Sequence, residues 1–199
     1  MFSLAFVTLI TLVLLYIILH FQDFSLIFVK SSKDNEYHLV RNLPDRKKAA
    51  DKMAEIKMRI QKLIDYLSEK YPQDDRVKRL KERYEPDAVQ ETRLDSAYTS
   101  FSVDKGEEMH LCLRDKKMDN YNIHDINTLM FVALHELSHL ASVNKGHDGE
   151  FNNNFVWILK YAVQIGIWES VDYSNSPVDF CGERITNNPL ISSMRIMKN

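Results

Sequence analysis

The sequence contains few of the residues that interrupt regular structure, with five glycines and five prolines among 199 residues. So little Gly and Pro excludes a long low-complexity or disordered chain. No Asn-x-Ser/Thr sequon occurs, so nothing marks a glycosylated extracellular surface. The two cysteines, Cys112 and Cys181, define no disulfide framework. The length suits one membrane segment and one modest folded domain.

Charge is absent from the N-terminal end, because residues 1–22 include no Asp, Glu, Lys or Arg. Residues 2–21 are almost entirely apolar, and about twenty helical residues span roughly 30 Å, the thickness of a bilayer core. A cleaved signal peptide would have basic residues before this run and a small-residue cleavage site, and neither is present. The sequence therefore predicts a retained transmembrane anchor over 1–22 and a linker over 23–44. Lys30 and Lys33 follow the anchor and no basic residue precedes it, which predicts a single-pass membrane protein with a cytoplasmic C-terminal domain.

The net charge of −2 is unevenly distributed. Residues 41–83 carry +6, whereas residues 84–199 carry −7. Apolar residues recur at three- and four-residue steps after residue 45, which predicts a basic helical arm over 45–93. Anionic lipid or a partner protein could bind the basic stretch at 41–83. Interspersed acidic residues favour solvated helix faces instead, and nucleic acid is neither expected nor excluded as a ligand.

In the next segment the spacing of apolar residues changes from three or four to two. Apolar and polar residues alternate over 97–103 and again over 109–114, and the residues 104–107 between them are typical of a turn. This pattern predicts a β-hairpin. The edge of its second strand, along 108–114, could pair with an extended peptide, or the strand could instead be fully covered.

The segment His135-Glu136-Leu137-Ser138-His139 matches the H-E-x-x-H pattern of zinc metallopeptidases. Residues four apart lie on one face of a helix, so the two imidazoles can bind one Zn²⁺. Glu136 lies beside that face, where its carboxylate can reach a water molecule on the metal. The surrounding stretch 126–141 is apolar on almost every side, which predicts a buried helix. Buried imidazoles and carboxylates are costly unless paired or metal-bound, which favours the zinc site.

A catalytic zinc usually has three protein ligands and one open position. His147 follows Gly146, where the chain turns before the next amphipathic helix, and imidazole nitrogen suits Zn²⁺. Asp148 and Glu150 are rival third ligands. Tyr98, His110 and His124 are candidates, by residue type only, for stabilising an oxyanion. Cys181 is either a thiolate near the metal or a small buried residue, and burial is favoured.

The motif and the following Gly146-His147-Asp148-Gly149-Glu150-Phe151 together resemble the WLM (Wss1-like) and SprT-like zinc metallopeptidases. The resemblance covers roughly residues 94–165, and Leu111-Cys112-Leu113-Arg114 also matches the strand before the WLM active-site helix. It implies His135, His139 and His147 as zinc ligands and Glu136 as the catalytic carboxylate. The whole chain also resembles the membrane-anchored WLM-type proteins predicted in large DNA viruses, which makes a virion membrane one location to consider.

Together these observations predict an α+β protein. Its expected parts are the N-terminal transmembrane helix, the helical arm, and a zincin-like domain over 94–199. That domain would have a small antiparallel hairpin packed on the HExxH helix and a loop-rich C-terminal cap. The predicted function is a membrane-anchored zinc endopeptidase acting on a protein or peptide substrate. One alternative is a catalytically silent zinc-fold protein that tethers a membrane to a partner, and another is a protease activated by nucleic acid.

Overall fold

The computed structural model describes residues 4–21, 25–116 and 122–196, and over these ranges the fold is a mixed α+β structure. In chain order its elements are α1 (Leu4–Phe21), β1 (Leu26–Lys30), β2 (Tyr37–Arg41), α2 (Arg46–Lys70), α3 (Asp75–Arg83), a 3₁₀ turn (Pro86–Ala88), β3 (Val89–Glu91), β4 (Phe101–Val103), β5 (Glu108–Leu111), α4 (Ile126–Ala141), α5 (Gly149–Gln164), β6 (Val178–Phe180), β7 (Glu183–Ile185) and α6 (Pro189–Ile196).

The expected transmembrane anchor was wrong. Helix α1 has 18 residues. Across the ranges that the structure describes, no helix combines the length and apolarity of a membrane span. The predicted location depended on this anchor. A single-pass membrane protein with a cytoplasmic C-terminal domain, or one in a virion membrane, was therefore also a wrong prediction. Residues 1–3 and 22 of the predicted anchor lie outside the described residues.

The predicted hairpin forms and belongs to a three-stranded sheet with the order β3-β5-β4. β4 pairs antiparallel with β5, placing Phe101 opposite His110 and Ser102 opposite Met109. β3 pairs with the other side of β5 in parallel, so β5 is the central strand. The expected docking edge along 108–114 is therefore already paired on both sides over β5. The edge beside the HExxH helix is β4 instead.

Helix α2 packs its apolar face against α4 and β2. The side chains of this face that have no exposed surface are Met53, Ile56, Ile60, Leu63 and Leu67. Each such burial stabilises the fold by about 1.5–3 kcal/mol before conformational entropy is subtracted. Within 23–44, β1 pairs antiparallel with β2, and β2 also packs on α2. The domain boundaries at 44 and 93 stay predictions, but one hydrophobic core joins α2 to the HExxH helix.

Several basic side chains of 41–83 bind main-chain oxygens within the protein. Arg79 Nε donates to the carbonyl of Ala141 at 2.6 Å, and Arg83 Nη1 donates to those of Leu140 and Ser142 at 2.8 Å. These carbonyls terminate α4, where the helix dipole favours positive charge. This part of the basic stretch therefore supports the helix that carries the motif. Binding of lipid or a partner at 41–83 stays a prediction.

A buried ion-pair network joins β2, β3 and the segment after β5. Arg114 donates from Nε and Nη2 to the two carboxylate oxygens of Glu91, at 2.9 and 3.0 Å, and Arg114 also pairs with Asp45. The backbone N–H of Arg41 donates to Glu91 at 2.7 Å. Burial raises the pKa of Glu91 to about 7, while these hydrogen bonds and the guanidinium of Arg41 favour its charged form.

Cys112 and Cys181 form a disulfide between positions 69 residues apart. The bond joins the end of β5 to the turn between β6 and β7. Closing a loop of this length stabilises a fold by about 4 kcal/mol in the chain-entropy description. Two cysteines so far apart gave no pairing signal in the sequence, because their proximity depends on the whole domain.

Gly106 in the β4–β5 turn should tolerate no side chain. Its φ is +118°, and an added Cβ would lie 2.2 Å from the carbonyl oxygen of Arg83. We expect Gly106→Ala to lower the free energy of unfolding by about 3 kcal/mol or more, from the left-handed backbone and the overlap together. Chemical denaturation measures the loss.

Gly166 provides the matched control, because its φ is +70° but an added Cβ meets nothing within 4 Å. Gly166→Ala should cost only about 1 kcal/mol, the cost of the backbone conformation alone. Equal losses for the two variants would show that the contact with Arg83 does not constrain the turn.

Candidate metal centre

Helix α4 places the HExxH segment inside the protein. The Asp125 side chain caps the helix by accepting hydrogen bonds from the backbone N–H groups of Asn127 and Thr128, both at 2.9 Å. Most of the helix is buried among α2, α3, α5 and the sheet. This packing leaves the imidazole face of α4 directed at one pocket.

Three imidazoles converge at that pocket. His135 and His139 lie one turn apart on α4, with ring centroids separated by 5.1 Å. His147, from the loop after α4, brings its Nε2 to 2.9 Å from the Nε2 of His135. One nitrogen from each ring lies within 4.8 Å of the others, so the group can hold a metal ion.

Burial keeps two of these rings neutral. Burial, together with the neighbouring imidazoles, lowers the pKa of His135 to about 3 and that of His139 to about 4. A neutral imidazole has a nitrogen lone pair available, which a metal ligand requires. The site is therefore ready for a cation at neutral pH.

Glu136 lies on the flank of the same helix face and is only 4% exposed. Burial raises its pKa to about 7, although hydrogen bonds from the hydroxyl and the backbone N–H of Ser102 act in the opposite direction. Ser102 is on β4, so the hairpin orients the carboxylate. Sequence reasoning missed this contact, because it joins residues 34 positions apart and no local pattern marks it.

Phe151 is a second residue that the motif alone did not identify as part of the site. Its ring centroid lies 4.8, 4.3 and 4.7 Å from those of His135, His139 and His147, respectively. Phe151 is 2% exposed and belongs to the first turn of α5. It forms an apolar support on which all three imidazoles rest.

The pocket has a volume of about 310 Å³. One wall is β4 and the turn after it, another is α4, and the third is the loop that carries His147. The lining residues are Ser100, Phe101, Ser102, Asp104, Lys105, His135, Glu136, His139, Asn144, Lys145, Gly146 and His147.

The two rival third ligands shape the loop that carries His147. The carboxylate of Glu150 accepts hydrogen bonds from the backbone N–H groups of Val143 and Asn144, at 2.8 and 3.1 Å. Asp148 caps α5 by accepting from the N–H of Phe151 at 2.9 Å. These hydrogen bonds lower the pKa of both carboxyls. Neither residue belongs to the three-nitrogen group.

The structure brings none of the candidate oxyanion residues to the pocket lining. Tyr98 is 67% exposed and packs against Phe101. His110 stacks on the ring of Phe101, and its Nε2 lies 2.6 Å from a carboxylate oxygen of Glu108. His124 faces Asp115. Cys181 forms the disulfide with Cys112 and supplies no thiolate to the three imidazoles.

The two imidazoles of α4 should contribute less stability to the metal-free protein as the pH falls. Unfolded imidazoles titrate near 6.5, but His135 and His139 have much lower pKa values when folded. Below 6.5 the unfolded chain therefore binds more protons, and the stability present above that pH is progressively lost. We expect this contribution to lower Tm between about pH 7 and about pH 5 in thermal unfolding, whereas Glu91 and Glu136, whose pKa values burial raises, contribute in the opposite direction.

A His135→Gln/His139→Gln variant isolates this effect from the carboxylates, which titrate unchanged in it. Its Tm should fall less over the same range. Parallel curves for the two metal-free proteins would contradict the lowered pKa values.

Comparison with known proteins identifies viral relatives. The chain is 38% identical over 159 residues to "Uncharacterized protein R325" of Acanthamoeba polyphaga mimivirus, covering 78% of this chain and 80% of that protein. It is 34% identical over 79 residues to "Uncharacterized protein 136R" of Invertebrate iridescent virus 6, covering 40% of this chain and 44% of that protein. No protein-family model matches the chain, so membership of the WLM or SprT-like family stays a prediction.

Among solved structures, the chain is similar to a Wss1 mutant from Saccharomyces cerevisiae, with 19% identity and a TM-score of 0.47 over 64% of this chain and 88% of that one. Wss1 itself gives 20% identity and a TM-score of 0.45, over 62% and 84% of the respective chains. The match to the mimivirus protein has much higher identity. On that identity and coverage, the chain belongs to the same protein family as "Uncharacterized protein R325" of the mimivirus.

Proposed function

We propose that this protein is a zinc-dependent endopeptidase in which His135, His139 and His147 bind Zn²⁺ and Glu136 is the catalytic carboxylate. The observation that carries the proposal is the convergence of three imidazoles beside a buried carboxylate on one open pocket. Three protein ligands and a free fourth position are the arrangement of catalytic rather than structural zinc.

The donor set fits zinc. Neutral imidazole nitrogens suit this borderline-soft cation, and the acidic neighbours Asp148 and Glu150 are occupied by backbone N–H groups. Zn–N bonds of about 2.0–2.1 Å place the nitrogens of a tetrahedral site roughly 3.3 Å apart, which is more than the 2.9 Å between the Nε2 atoms of His135 and His147. His147 is exposed, so rotation of its ring can supply the difference.

Glu136 moves the proton in the proposed reaction. A bound zinc ion would acidify water and polarise the scissile carbonyl. Glu136 accepts a proton from the attacking water and then donates it to the leaving amine. A carboxyl whose pKa burial raises toward 7 can serve in both directions near neutral pH. The hydrogen bonds from Ser102 hold this carboxylate toward the pocket.

The substrate is proposed to be an extended polypeptide. β4 is an edge strand of its sheet, and Phe101 and Ser102 border the pocket. A peptide added beside β4 would gain main-chain hydrogen bonds and pass in front of Glu136. This surface selects for extended backbone rather than for a particular sequence.

Replacing the carboxylate separates metal binding from catalysis. Glu136→Gln should retain about one zinc per chain, because the three imidazoles remain. Cleavage of an unfolded protein should fall by about 10²–10⁴-fold, since the general base is lost. Metal analysis and a fluorogenic cleavage assay give the two measurements.

Glu107→Gln is the matched control, because Glu107 is exposed and does not line the pocket. It should leave both zinc content and cleavage unchanged. A wild-type protein with stoichiometric zinc that cuts no unfolded protein or peptide library would reject the peptidase. It would favour a catalytically silent zinc protein instead.

Glu150 should act as a positioning residue for the third ligand. The amide of Glu150→Gln retains one acceptor oxygen. One of the two backbone N–H groups, of Val143 or Asn144, therefore loses its acceptor. Zinc affinity should fall by about 10–100-fold, as for other residues that support metal ligands. Competition with a chelator measures the affinity.

A purely structural role for Glu150 would instead lower the Tm of the metal-free protein and leave zinc affinity intact. We expect the reverse, with a small change in Tm. Glu150→Asp, which retains the charge, should recover part of the affinity.

A further inference from the structure

A second cluster of metal-binding side chains lies outside the pocket described above. Donor atoms of Asp115, His124 and Cys181 lie within 4.8 Å of one another, and Cys112 is bonded to Cys181. We propose that reduction of the disulfide converts this cluster into a second, structural zinc site. Its ligands would be the thiolates of Cys112 and Cys181, the imidazole of His124 and the carboxylate of Asp115.

The fold holds these donors together independently of the disulfide. The side chain of Asp115 accepts a hydrogen bond from the backbone N–H of Cys181 at 3.0 Å. A β-bridge between Arg114 and Ile123 places Asp115 beside His124. Cys181 lies in the tight turn between β6 and β7, with a φ of 53°. Breaking the S–S bond therefore leaves the donors as neighbours.

His124 indicates that this cluster can accept a ligand. Its Nε2 is buried and makes no hydrogen bond within the described residues, although Asp115 Oδ1 lies 3.3 Å away. The imidazole packs on Phe180, with ring centroids 4.8 Å apart, which keeps it in the cluster. A buried nitrogen without a hydrogen bond is costly, and a bound cation would satisfy it.

The charge of the ligand set and its access from solvent also suit a zinc site. Two thiolates and one carboxylate exceed the charge of Zn²⁺, and Arg41 Nη2 lies 3.8 Å from the sulfur of Cys112. This guanidinium favours the negatively charged sulfur. A cavity of about 400 Å³, bordered by Asp115 and Cys181, provides a route from solvent.

The redox step balances with a dithiol as reductant. The dithiol gives two electrons and two protons to the S–S bond and becomes a disulfide itself, and Cys112 and Cys181 become thiols. Zinc then binds both as thiolates, with release of the two protons. Zn–S bonds of about 2.3 Å place the two sulfurs roughly 3.8 Å apart in a tetrahedral site. The same two segments are thus crosslinked by a disulfide when oxidised and by zinc when reduced.

Cobalt(II) provides the test on the full-length protein, because thiolate–cobalt bonds give a charge-transfer absorption that imidazole ligands do not. The protein reduced with a phosphine should bind one more Co²⁺ per chain than the oxidised protein and should show this absorption. The oxidised protein should show none. This comparison needs no variant, so it does not depend on whether substitutions fold.

Variants then identify the ligands. His124→Asn and Asp115→Asn should each weaken cobalt binding at the thiolate site by at least about 10-fold, since even residues that only support a metal ligand contribute that much. His110→Asn, outside both clusters, should have no effect. Reduced protein without the absorption would overturn the proposal, and so would an absorption that His124→Asn and Asp115→Asn leave unchanged.

Failure of this proposal is distinguishable from failure of the peptidase proposal. His135→Asn/His139→Asn should abolish cobalt binding by the three imidazoles and leave the thiolate absorption in place. Conversely, Cys181→Ser should remove the absorption and retain the imidazole-bound cobalt.

Discussion

The burial of a polar helix face is the constraint on which the rest of this structure depends. α4 is packed among helices and a sheet, yet it carries two imidazoles and a carboxylate in its second half. Burial favours neutral imidazoles and raises the pKa of Glu136 to about 7. Packing therefore produces both the uncharged imidazole nitrogens that a metal ion needs as ligands and a carboxyl whose pKa is raised toward neutral pH.

The parts of the fold around α4 hold its C-terminal end and the loop beyond it. Arg79 and Arg83 donate to the last carbonyls of the helix, and Lys105 donates to the carbonyl of Ser142 at 3.2 Å. Glu150 binds the backbone N–H groups immediately after. His147 therefore extends from a loop fixed on both sides, which is how a single exposed imidazole can meet two rings on a helix.

Local patterns predicted the features that depend on local geometry. The four-residue spacing of His135 and His139 determines that they share a helix face, and the alternation around residues 104–107 identified the hairpin. The sequence left open whether β5 is an edge or a covered strand, because its central position depends on a parallel pairing with β3, some twenty residues earlier. The hydrogen bonds from Ser102 to Glu136 and the disulfide are non-local in the same sense. The anchor over 1–22 was wrong, because no helix of the described ranges combines the length and apolarity of a membrane span.

Strand β5 links the two clusters that could bind a metal ion. β5 pairs with β4, whose Ser102 orients Glu136, and Cys112 follows directly after β5. Arg114, two residues further, is fixed by both oxygens of Glu91 on β3. A crosslink between Cys112 and Cys181, whether a disulfide or a metal, limits the displacement of this strand. Because Glu136 faces the pocket within hydrogen-bond reach of Ser102, restraint at the far end of β5 preserves the geometry of the carboxylate that we propose to be catalytic.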